Sequence, residues 1–191
     1  MLYAWAAALG YVALAGAWSV RGEGVAEAPL VARALVWISW AGGSAAWVAS
    51  RNVEEEETRL GLTALAALRG ASPRAYQVAR TSATVMLVAR TVGLPAVVAS
   101  VCVAALGGVS GSRPGLSLVG ATIVYALLFG VVFGSVARLS SSVSPRHGRV
   151  VFVALVLGPE MLRTVMGDVP ALVSGFAELI DLLLGVGSAS A

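Results

Sequence analysis

The chain has 191 residues, of which 58% are hydrophobic and only 12% charged, and its mean hydropathy is +0.87. Soluble domains carry about 25% charged residues, so this composition leaves too little polar surface for a water-soluble globule and no separate soluble module of useful size. The net charge of +3 comes entirely from arginine. In so apolar a chain it follows the positive-inside rule and is no sign of nucleic-acid binding, and the single Cys102 excludes an intrachain disulfide or a cysteine metal cluster.

A helix needs about 20 apolar residues to cross roughly 30 Å of hydrocarbon. On that measure the sequence predicts an all-α, polytopic membrane protein with one transmembrane domain over 1–191 and spans at about 2–20, 30–50, 82–106, 116–137, 150–166 and 170–186. The first stretch has no basic segment before it and no clear small-residue cleavage site, so it reads as a retained span and not a signal peptide. Tyr3, Trp5 and Trp18 stand near its ends, where amphipathic rings favour the interface. After the linker RGEGVAEAP, the second span carries Trp37, Trp40 and Trp47, and Arg33 near its outer end can snorkel to headgroups.

The long polar interval 51–80, RNVEEEETRLGLTALAALRGASPRAYQVAR, breaks the apolar pattern. Asn52 is placed to cap a helix whose first turn holds Glu54, Glu55, Glu56 and Glu57, negative charge at the positive end of the dipole. Leu60, Ala64, Ala67 and Leu68 follow helical spacing, and Arg69-Gly70 supplies a stop, so the pattern predicts an amphipathic helix over 53–69. Ser72-Pro73 then caps and starts a second helix that runs through Tyr76 and Arg80 into the third span.

The third span contains Arg90 and Pro95 and is not expected to be straight. A glycine-rich turn at 107–115 leads to the fourth span, and a basic loop at 138–149 to the fifth, which holds Gly158-Pro159-Glu160. The sixth holds Glu178 and Asp181. Arg51, Arg59, Arg69, Arg74, Arg80, Arg138, Arg146 and Arg149 fall on one side against Arg21 and Arg113 on the other, which places both termini in the cytoplasm.

Charge inside a membrane costs about 2.5–3.5 kcal/mol per residue at mid-helix, so Arg90, Glu160, Arg163, Glu178 and Asp181 need partners or water. Glu160 and Arg163 are spaced to pair on one helix face. Glu178 and Asp181 repel each other at the same spacing and call for an arginine, for which Arg90 is the candidate, or for a proton or a polar cavity. These residues read either as a gate or pathway or as inter-helix ion pairs. A proton-coupled secondary transporter using Glu178 and Asp181 is one alternative, although the internal repeats expected of such folds are not found. The tetrapeptide Gly108-Val109-Ser110-Gly111 matches that of rhomboid proteases, but the sole histidine, His147, falls on the opposite side of the membrane from Ser110. No nucleotide, phosphate-loop or metal-ligand motif is present, so the chain by itself is not read as an enzyme.

With its excursion between the second and third spans, the chain resembles ABC-2-type ABC transporter permeases. The likeness is carried by Glu57-Thr58-Arg59 with Gly61, then Leu62, Leu65 and Leu68, the turn Gly70-Ala71-Ser72-Pro73, Arg80, and the proline-bearing Gly158-Pro159-Glu160-Met161-Leu162. The resemblance implies a permease subunit of an exporter in the inner (plasma) membrane, among membrane lipid and with no nucleic acid. It further implies pairing with a second permease copy or paralogue and with a separate ABC ATPase subunit that holds the ATP and Mg, this chain binding no cofactor. The ATPase-coupling residues would be Glu54, Glu55, Glu56, Glu57, Arg59, Leu60, Gly61, Leu65, Leu68 and Arg69. A membrane scaffold or assembly subunit that docks a partner without ATP is the other alternative.

Overall fold

The computed structural model describes residues 2–20, 27–51, 60–109, 115–144, 146–167 and 169–184. Among these the chain is all-helical: α1 (Leu2–Val20), α2 (Glu27–Ala49), α3 (Leu62–Leu68), α4 (Pro73–Val109), α5 (Gly115–Val143), α6 (Gly148–Met166) and α7 (Leu172–Leu184). Two stretches, Pro73–Leu106 in α4 and Ser117–Val143 in α5, are long and apolar enough to cross a membrane. The six spans expected from the sequence are thus not supported. α2 is diluted by Arg33, three tryptophans and a Gly-Gly-Ser run, and at 13 residues α7 rises only about 20 Å.

Helix ends also differ from the expected loops. α5 runs on to Val143 and α6 begins at Gly148, so Arg138 and Arg149 belong to helices and not to the expected basic loop. The predicted turn at 107–115 loses its first residues to α4, which continues through a buried Pro95 to Val109. α4 starts where Ser72-Pro73 predicts: the Ser72 hydroxyl accepts from the Ala75 amide at 3.1 Å, and the Ser72 carbonyl from the Tyr76 amide at 3.0 Å.

The most extensive packing is between α4 and α5, followed by α2 on α4. α1 lies against α2 and α4, while α6 and α7 pack as a hairpin against α5 and α2. Buried positions repeat at helical spacing: Leu35, Ile38 and Ala46 on α2, Val88, Val92, Ala96, Ala99 and Val103 on α4, and Thr122, Tyr125, Phe129, Phe133 and Ala137 on α5. Small residues set the α4–α5 distance. Gly93 faces Ala126, Gly130 faces Ala89 and Gly134 faces Val85; a Cβ on Gly130 would lie 2.8 Å from the Ala89 Cα, and one on Gly134 2.8 Å from the Val85 Cα. Such rows let two backbones approach without intervening side chains. At the far end of this packing, Gly148 sits against the Ser50 carbonyl and the Ser141 Cα.

Candidate functional site

Glu54, Glu55, Glu56, Glu57 and Arg59 lie outside the described residues, as does the proposed Asn52 cap. The continuous 53–69 helix is not what forms. Leu60 and Gly61 are in a turn, and Gly61 has φ +69° in the left-handed region, so the helical ladder begins at Leu62. The predicted stop does form. Gly70 at φ +77° donates to the Ala67 carbonyl and Ala71 donates to the Ala66 carbonyl, both at 3.0 Å, the paired bonds of a Schellman ending with Arg69 as the C-cap. Leu60, Leu62, Leu65 and Leu68 are all exposed, and α3 is not among the extensively packed helix pairs. An apolar short helix therefore stands clear of the bundle, tied by a tight turn to the start of the longest helix.

At the same end, the Arg138 guanidinium donates from Nη2 to Gln77 Oε1 at 3.0 Å, joining the end of α5 to the start of α4. The Arg149 guanidinium lies over the Trp47 ring, 4.7 Å from its centroid. His147 precedes α6 and is exposed; Ser110 lies outside the described residues.

The charges of α6 and α7 are arranged otherwise than their spacing suggests. Glu160 and Arg163 do not pair with each other; each reaches across the hairpin. Arg163 Nη2 donates to Glu178 Oε1 at 2.9 Å, and its Nη1 donates to the Ser174 hydroxyl. Glu160 Oε1 accepts from the Ser174 backbone amide at 2.8 Å and from its hydroxyl at 3.2 Å. Ser174 is the third residue of α7, so Glu160 brings a carboxylate to that helix's positive end and satisfies one of its otherwise orphaned amides. The ion pair is largely open, its side chains 39% and 67% exposed, where such pairs contribute about 0–1 kcal/mol. Glu160→Ala should therefore cost more stability than Glu178→Gln. For a chain this long, about 1–2 kcal/mol for the lost cap lowers the Tm by roughly 2–8 °C, which a thermal melt of the purified variants will resolve.

Arg90 does not meet Glu178. It is exposed on α4, flanked on the same face by exposed Leu87 and Leu94, and makes no ion pair among the described residues. Asp181 is likewise exposed.

A third feature is spelled by no single segment of the sequence. A cavity of about 370 Å³ lies between α2, α5, α6 and α7, with Ser39, Trp40, Trp47, Phe152 and Val156 among its lining residues. Its floor is an aromatic cluster: Phe129 stacks on Phe133 at 4.2 Å, and the Phe176 edge meets Tyr125 and Phe129 at 5.7 and 5.2 Å. Ser39 gives its proton to the Leu35 carbonyl, so the Tyr125 hydroxyl, 2.7 Å away, donates to Ser39 Oγ. The signal available in the sequence was the spacing of Tyr125, Phe129 and Phe133, every fourth residue on one face of the helix. Neither Glu178 nor Asp181 lines this cavity. No group of histidine, cysteine, aspartate or glutamate among the described residues is placed to hold a metal.

No protein family, no curated protein and no solved structure matches this chain.

Proposed function

We propose that this chain is the membrane-spanning permease subunit of an ATP-driven exporter, coupled through α3 to a separate ATPase. The reading rests on the resemblance of residues 57–80 to ABC-2-type permeases. The observation that best supports it is α3 itself: a short helix with exposed Leu62, Leu65 and Leu68, placed between two apolar helices and joined to α4 by a Schellman ending and the Ser72 cap. A rigid projection of that kind gives a partner something to push, and α4 carries the push along its length. Less than half of each apolar window in α4 and α5 is buried within the chain, and the outward residues are large and apolar, among them Leu94, Val98 and Val101 on α4 and Leu127, Leu128 and Val131 on α5. A patch that size in water would be an aggregation surface; against lipid it is ordinary. The six-span arrangement with both termini cytoplasmic, and pairing with a second copy or a paralogue, belong to this same proposal.

The test is recovery of partners. The tagged chain is solubilised gently from its native membrane, co-purifying proteins are identified and ATPase activity is assayed. Co-purification of an ABC ATPase supports the proposal. Its absence, under conditions that hold a known ABC complex together, overturns it in favour of a scaffold.

A further inference from the structure

We infer that the cavity between α2, α5, α6 and α7 binds an anionic phospholipid, with one acyl chain among the aromatic rings and the phosphate on Arg149. Three observations converge on it. The cavity is of ligand size at about 370 Å³, and its walls are almost wholly apolar. Ser39, Ser44 and Tyr125 are the hydroxyl-bearing residues of the lining; Ser39 and Tyr125 are bonded to each other, and Ser44 donates to the Trp40 carbonyl at 2.8 Å. Such a space suits hydrocarbon.

The second observation is where Arg149 stands. Trp47, over which its guanidinium lies, is part of the cavity wall, and Phe152 and Val153, one turn further along α6, line it as well. Arg149 therefore stands beside the Trp47–Phe152 end of the cavity, next to its lining residues and not one of them. The third is that this cation is unmatched. Its Nε is buried with no hydrogen-bond partner, and it makes no ion pair among the described residues. On its own helix, Glu160 stands about 16 Å further along and is engaged with Ser174. A guanidinium with no facing carboxylate favours a phosphate, which it can meet with two parallel N–H donors. An apolar slot ending in an unmatched guanidinium is complementary to an amphiphile with an anionic head.

This inference does not depend on any ATPase, and binding is measured on the chain alone. The purified full chain in a zwitterionic detergent is titrated with phosphatidylglycerol brominated on its acyl chains, and quenching of tryptophan fluorescence is followed, since Trp40 and Trp47 line the cavity. Saturable quenching is expected, at least tenfold weaker with brominated phosphatidylcholine and about tenfold weaker in Arg149→Gln. Gly43→Leu should abolish it: Gly43 lines the cavity and a Cβ there meets nothing within 4 Å, so a larger side chain can be introduced at the wall without a clash at its base. Ala177→Leu fills it from the opposite wall and serves if the first variant elutes or folds abnormally. Equal affinity for the two headgroups, or unchanged binding in Arg149→Gln, overturns the inference. So does full quenching in both filled variants, which places the lipid on the outer surface. Displacement by inorganic phosphate at similar concentration would mark a plain anion site, and tighter binding of a brominated fatty acid a carboxylate site; either result also overturns it.

Discussion

Leu65→Asp is expected to reduce co-purifying ATPase activity at least about tenfold while the chain still reaches the membrane in normal amount. Leu65 is half exposed, its amide is bonded to the Gly61 carbonyl at 3.0 Å, and its own carbonyl takes the Arg69 amide at 3.2 Å. A change of side chain leaves those backbone bonds in place, so α3 should persist and only its outward chemistry change. A carboxylate pressed into an apolar partner surface without a counter-charge loses well over 1.4 kcal/mol, the tenfold threshold. Gly61→Trp is the less clean experiment. At φ +69° any side chain is strained, by about 1–2 kcal/mol, so loss of coupling there would mix docking with a deformed helix start. Activity and recovery unchanged in Leu65→Asp would remove α3 from the mechanism.

The second large effect is expected from Gly130→Val. Its Cβ would lie 2.8 and 2.9 Å from the Ala89 Cα and amide nitrogen, and backbone atoms cannot move aside as a side chain could. α4 and α5 would have to part along their whole contact, an overpacking cost of about 3 kcal/mol and a fall in Tm of roughly 6–12 °C. Gly120→Ala, on the same helix with nothing within 4 Å of the new Cβ, is the control. It should be neutral or stabilising by up to about 1 kcal/mol. Differential scanning fluorimetry on the two variants checks both the size and the contrast. Equal melting points would mean that the row of small residues does not fix the helix spacing.

What could be read from the sequence was local, and what could not was relational. Ser72-Pro73 and Arg69-Gly70 punctuate the chain through bonds made within a few residues, so their spelling alone announces a start and a stop. Gly61 was misplaced because a glycine inside an apolar helical pattern looks like a tolerated interruption. Its left-handed φ, which ends the pattern, depends on how the chain arrives from residue 60. The charges on α6 and α7 failed for a related reason. Spacing proposes that Glu160 reaches Arg163, but the hairpin brings a bare amide at Ser174 and a carboxylate at Glu178 into competition, and each offers better geometry than the neighbour three residues along. Apolarity was legible as composition but not as a count of crossings, since α2 mixes tryptophan, glycine and serine into a helix whose inner face is still close-packed. The cavity was invisible altogether, because its walls come from four helices and no one of them spells it.

The pinning of Gly148 has a mechanical side. α1, α2, α4 and α5 pack on one another, α4 and α5 through a backbone-close row, while α6 and α7 are joined to each other by Glu160, Arg163 and Ser174, and α7 sets Phe176 against the rings of α5. Where α6 begins, Gly148 is wedged against Ser50 and Ser141 with no room to slide. A body fixed at one end and held elsewhere by non-directional contacts has a single soft motion, rotation about the fixed end. For the hairpin that axis runs through the start of α6 at Gly148, so the cavity should widen from the end remote from Arg149, changing volume there while the arginine end keeps its shape. Hinge motions of this kind belong to the microsecond-to-millisecond range. A spin-label pair on α2 and α7 would report such a motion as a broad distance distribution, and a pair on the exposed neighbours of the contact, Arg51 and Val150, would stay narrow.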